Sequence, residues 1–152
     1  MSLWRRTAIE RFPQLHRAIA DAESAGWVWY VLRHALEDAY RQKPLDEKLV
    51  ADVYEYASWC LHHRSMEVRT AVVLWFYEGL CVDDLLRPDM ARWMSQSDFD
   101  LLAFAWTYVL TGENLRAFQQ EFAARKAEVE GVASRHQQGL VKRLNKAKPS
   151  AA

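Results

Sequence analysis

The sequence predicts an all-α fold, a compact multi-helix bundle or short helical-hairpin array of about six helices with no sheet. Three observations predict it. Apolar residues recur at three and four spacing, and no segment keeps a period-two alternation between turn residues. Two stretches, Ala71 to Tyr77 and Leu101 to Leu110, carry no charged residue on any side, the pattern of helices enclosed by other helices. Hydrophobic residues make up 51% of the 152 and charged residues 26%, so a core can form without metal or disulfide. On this reading Trp75, Phe76, Phe104 and Trp106 are all interior.

The first helical region spans about Leu3 to Glu23 and is interrupted at Pro13, which lacks an N–H and crowds the preceding turn. Ile9, Phe12, Leu15 and Ile19 form its buried stripe. A second helix, Gly26 to Arg41, takes Ser24 as its cap and ends before Pro44. Asp46 caps a third, about Glu47 to His63, which buries Leu49, Val53, Tyr56 and Cys60. Ser65 caps a fourth that reaches Leu80, with Glu67 in its first turn.

Cys81 to Met94 reads as an irregular connection holding short helical turns, because Asp83, Asp84 and Arg87-Pro88-Asp89 favour turns. Ser95 with Asp98 resembles a capping box for the fifth helix. Thr111 and Gly112 end that helix, and a sixth follows from about Glu113 to Glu130 over Leu115, Phe118 and Phe122. Residues 1–130 thus form one helical domain. Residues 131–152 have no aromatic and little apolar content, and read as a basic tail, frayed or disordered.

The net charge of zero conceals a division. Residues 1–124 hold 13 basic and 18 acidic side chains, a balance of −5, and residues 125–152 hold 7 and 2, a balance of +5. An acidic body suits a basic partner. The tail, with Arg135, Lys142, Arg143, Lys146 and Lys148, offers phosphate contacts, but it lacks aromatics for base stacking and the body repels nucleic acid. Cys60 and Cys81 stand in no metal or redox spacing and suit a reducing cytoplasm. Met1 to Phe12 carries no apolar run of the secretory kind, and no stretch reaches the roughly 20 apolar residues of a membrane span.

Two constellations point to partner binding. On the third helix Asp52, Glu55, Trp59 and His62 fall on one polar face, the only such face interrupted by a large aromatic. In the connection after the fourth helix, Asp83, Asp84 and Asp89 lie near Trp93, an acidic loop with an apolar anchor. Catalytic signatures are absent: there is no nucleophile elbow, phosphate loop or dinucleotide fingerprint. His62 and His63 are adjacent and point about 100° apart on a helix, which does not suit a shared metal, and no Glu-x-x-His pair occurs. The sequence therefore points to no catalytic residue, metal or cofactor. The alternative is a small-ligand protein or enzyme with a pocket near Glu78, a carboxylate beside a buried run, together with His34.

The segments Tyr54 to Leu61 (YEYASWCL), Ala71 to Leu80 (AVVLWFYEGL) and Ser97 to Leu102 (SDFDLL), with Phe12-Pro13 upstream, resemble a bacterial all-helical domain family without an assigned function. The likeness runs from about Phe12 to Phe122 and leaves the basic tail outside. It implies a helical fold and a role like that of immunity-like partners of bacterial toxins. It carries over no functional residue, and the sequence leaves the oligomeric state open.

Overall fold

The computed structural model describes residues 1–146. They form an all-α fold with no strand among them. In chain order the helices are α1 (Leu3–Arg11), α2 (His16–Ala20), α3 (Ala25–Arg41), α4 (Glu47–Leu61), α5 (Met66–Val72) and α6 (Glu78–Leu80). They continue as α7 (Met90–Trp93), α8 (Gln96–Leu101), α9 (Ala103–Val109) and α10 (Gly112–Lys146). A 3-10 turn, Pro13–Leu15, sits where proline breaks the first region, and another, Arg87–Asp89, leads into α7. A π-helical turn, Val73–Tyr77, joins α5 to α6 without a break.

The middle of the molecule is a layer of α3, α4 and α5, each packed on the other two, with α1 lying across α3 and α4. Trp29 of α3 stacks at 5.3 Å on Tyr56 of α4 and at 5.0 Å on Phe76 of the π turn, which joins the three elements through aromatic faces. Tyr56 then donates to the Trp4 carbonyl at 2.9 Å, fastening α1 to the same layer. A second aromatic cluster holds α8, α9 and α10. Phe99 stacks on Phe122 at 3.8 Å, Trp106 meets Phe118 edge-on at 5.4 Å, and the Trp106 indole donates to the Phe99 carbonyl.

Polar contacts fix the long last helix. Lys126 donates to the carbonyls of Ala91 and Met94 at the end of α7, at 3.2 and 2.9 Å, where helix carbonyls otherwise lack partners. Arg87 pairs with Glu121 at 2.7 Å and also covers the Phe118 ring. Gly112, at a φ of 54°, makes the left-handed turn from α9 into α10, a conformation that favours glycine.

Three features differ from the expectations of sequence. The fifth helix is two short ones, broken at Leu102, whose own burial and that of Ala105 and Trp106 set the new axis. The sixth does not stop near Glu130: it runs on through Gly131 and Gly139 to Lys146, where thin apolar content predicts fraying. Extending a helix already nucleated against the body requires one hydrogen bond per residue and no new nucleus, and Ala, Gln, Lys and Arg propagate it. The tail residues 147–152, Lys148 among them, lie outside the described residues.

The third difference concerns the uncharged stretches. Phe76 and Trp106 are fully buried, but Trp75 is 56% exposed and Phe104 55%. The π turn and α9 are covered on one side only, so an uncharged outer face meets solvent instead of a neighbouring helix.

Candidate functional site

The polar face of α4 is largely engaged with the protein itself. Asp52 accepts from Lys48 one turn earlier at 2.5 Å, and Glu55 pairs with Arg11 at 3.2 Å. Trp59 is half-buried, stacked on Tyr56 at 5.8 Å and against His63 at 4.8 Å. His62 reaches across to α8, its Nε2 lying 2.8 Å from Asp98 Oδ1.

The acidic connection is similarly tied in. Asp83 pairs with Arg33, and its other oxygen accepts from the backbone of Leu85 and Leu86 at 2.9 Å, which turns the chain. Asp89 accepts from Tyr40 at 2.7 Å and from the Trp93 indole at 2.8 Å, and burial with this carboxylate pushes the Tyr40 phenol well above its usual range. Trp93 is half-buried under the Arg92 guanidinium. Asp84 is exposed.

The fold nevertheless brings parts of both constellations together. Glu55 and Trp93 line one cavity of about 190 Å³ with Tyr54, Tyr77 and Asp98. His62 borders it through its bond to Asp98. Glu78 and His34 are not gathered around one cavity. Glu78 lines a cleft between α5 and α9, whereas the exposed His34 ring packs on Tyr30 at 4.4 Å and is absent from the cleft walls.

That cleft holds about 590 Å³; the sequence pointed to a pocket near Glu78, which lines it, but not to its apolar walls. One wall comes from Met66, Val73 and Leu74; the other comes from Leu101, Phe104 and Tyr108, three and four residues apart across the α8–α9 junction. Leu74 and Trp75 continue the apolar surface over the rim to α3, where Trp75 lies against Gly26 so closely that a Cβ there would meet its indole at 2.7 Å. Trp27 and Tyr30 extend it further along α3. Two charges mark the rim: Glu78, and Arg69, held by the His63 carbonyl at 2.9 Å.

The π turn accounts for this shape. Its extra residue rotates the downstream helix, so Val73, Phe76 and Tyr77 enter the core while Leu74 and Trp75 face out. Such turns gather at functional sites. For the apolar walls the sequence signal was the lack of charge from Ala71 to Tyr77, which burial and an apolar binding face produce alike.

No family model, curated protein or solved structure matches the chain. Among the described residues no helix is long and apolar enough to cross a membrane.

Proposed function

We propose that this chain is a non-catalytic protein-binding module whose apolar cleft seats an amphipathic helix from a basic protein partner. The observation that carries the reading is the continuous exposed surface of Met66, Leu74, Trp75, Leu101, Phe104 and Tyr108 on a domain whose two aromatic cores are otherwise complete. Apolar surface in one contiguous patch, rimmed by polar groups, marks interaction sites far more often than scattered exposed leucines do. A cleft with helical walls takes a helix by its i, i+3 and i+4 side chains. The −5 balance of residues 1–124 favours a basic partner, and Asp52, Glu55 and Asp84 contribute to that field. An immunity-like protein that occludes a basic toxin is one form of this reading. The buried free thiols Cys60 and Cys81 suit a reducing, cytoplasmic setting.

The test is photo-crosslinking from position 104 in cells, identification of the captured protein, and titration of the purified pair. Phe104→Asp and Leu74→Asp are expected to weaken binding by about tenfold or more, as central anchors do, while Leu85→Asp, on an exposed apolar residue outside the cleft, leaves it unchanged. Equal affinity in all three folded variants would overturn the reading. So would a homodimer lost on Phe104→Asp, which would make the cleft a self-interface.

The cleft volume also falls in the roughly 300–1,000 Å³ range of small-molecule sites, which favours an apolar ligand as the second reading. A hydrophobic dye displaced by extracted lipids or metabolites, with no protein captured, would select it.

A further inference from the structure

We propose that the partner seats two adjacent helices on this chain, a helical hairpin that straddles α5 and the π turn, with one helix in the cleft and the other along α3. The inference rests on the reading of the cleft as a protein site and adds a second half to it, carried by Trp27, Tyr30 and Trp75.

The segment formed by α5 and the π turn is a ridge between two grooves. On one side lies the cleft against α8 and α9; on the other, a groove of about 340 Å³ runs against the start of α3, Ser24 to Gly26. Met66, Thr70 and Leu74, one row at four spacing, line both. Three helical segments side by side make an exposed layer, and what covers such a layer is a second layer of helices. Neighbouring axes lie about 8–10 Å apart, so α3 and α9 stand about 16–20 Å from each other, whereas one helix is about 10–12 Å across. A single helix covers the cleft or the α3 side, but not both. A hairpin fills both grooves and takes the Met66–Thr70–Leu74 row between its two helices.

The exposed area fits an occupant of that size. Trp27 is 51% exposed, Tyr30 48% and Tyr108 80%, beside Trp75 and Phe104. At about 200 Å² for each aromatic side chain, these five leave about 600 Å² in water, already the upper size of the largest apolar patch on an ordinary monomer. Met66, Leu74 and Leu101 carry the total towards the roughly 800 Å² that each side of a stable protein interface contributes. The α3 half is held in place before any partner arrives. Gly26 offers no Cβ where the Trp75 indole rests, and Trp27 meets Tyr30 edge-on at 5.2 Å. Each groove also carries one carboxylate, Glu78 in the cleft and Glu67 beside Trp75, and neither enters an ion pair among the described residues. A Lys or Arg on each helix of the hairpin complements them.

The probe is the protein captured by the photo-crosslinker at position 104, purified and titrated against the full chain, with a second crosslinker placed at position 30. Both positions are expected to capture the same protein and to mark two helices joined by a short loop. Tyr30→Asp should weaken binding about tenfold with the helical signal and thermal midpoint retained. Gly26→Ala should weaken it several-fold; alanine suits the helix and only the half-exposed Trp75 ring has to move, so this variant carries the test if Tyr30→Asp does not fold. A synthetic peptide of the helix marked from position 104 should bind at least tenfold more weakly than the whole partner. Wild-type affinity in both variants, capture from position 104 alone, both crosslinks in one helix, or a peptide as tight as the protein would overturn the hairpin. The cleft reading survives those outcomes as long as Phe104→Asp weakens binding. No loss in Phe104→Asp, or no capture from either position, overturns both.

Discussion

Four of the six tyrosines hold their hydroxyls where a phenolate is costly. Burial raises Tyr54, Tyr56 and Tyr77 well above the ordinary value near 10, and burial with Asp89 does the same for Tyr40. A group whose folded value is raised contributes stability below its unfolded value and withdraws it as pH climbs above that point. The fold is therefore expected to keep its full tyrosine contribution up to about pH 10 and to lose stability steadily beyond it. Absorbance at 295 nm checks this: at pH 11 the native chain should show far less phenolate than the chain in urea, and the remainder should appear together with loss of helical signal. Equal phenolate in both would place these hydroxyls in water. Local spacing made the Ser95–Asp98 cap legible, but not the burial of Asp98 or its bond to His62, which depend on how α4 and α8 meet.

At the scale of elements, sequence located the helices well because caps and breakers act locally. Ser24 and Asp46 accept from the backbone of Trp27 and Leu49 as their positions predict, and Pro13 opens a 3-10 turn. Ser65 stands at its cap position without a side-chain bond, and its backbone N–H donates to His63 Nδ1 at 3.0 Å. What sequence could not give was which face of an uncharged helix has a neighbour. Trp75 and Trp106 look alike in composition, yet one lies over Gly26 at the surface and the other is enclosed by Phe99 and Phe118. Trp106→Ala should therefore cost about 3–5 kcal/mol, the range of large core truncations. Trp75→Ala, which removes a ring already half in water, should cost about 1 kcal/mol or less. Urea unfolding of the two variants separates them, and similar losses would mean that the outer face of the π turn is packed. The same ambiguity hid the apolar walls of the cleft beside Glu78, because an uncharged helix face reads as core until the fold shows nothing across it.

The whole molecule divides more sharply than its length suggests. Helix α10 has 35 residues, about 52 Å at 1.5 Å each, but only its first half docks. Phe118 and Phe122 enter the second aromatic cluster, Glu121 and Lys126 tie it to Arg87 and α7, and from Val132 to Arg143 every side chain is exposed. The charge boundary near residue 125 falls close to where docking ends: Arg135, Lys142 and Arg143 sit on an arm that buries little, and the acidic balance on the packed body. Stability should follow burial and electrostatics should follow the arm. A chain ended at Gly131 keeps all 20 acidic residues and 15 of the 20 basic ones, a net charge of −5. Its thermal midpoint should stay within about 2 °C of the full chain, while its retention on anion exchange rises. A chain ended at Glu113 loses Phe118, Phe122 and the Arg87–Glu121 pair, and should fail to unfold cooperatively because Phe99 and Trp106 are left facing water. If ending the chain at Gly131 instead lowered the midpoint by about ten degrees, the arm would be packed against something in solution, most simply a second copy of the acidic body.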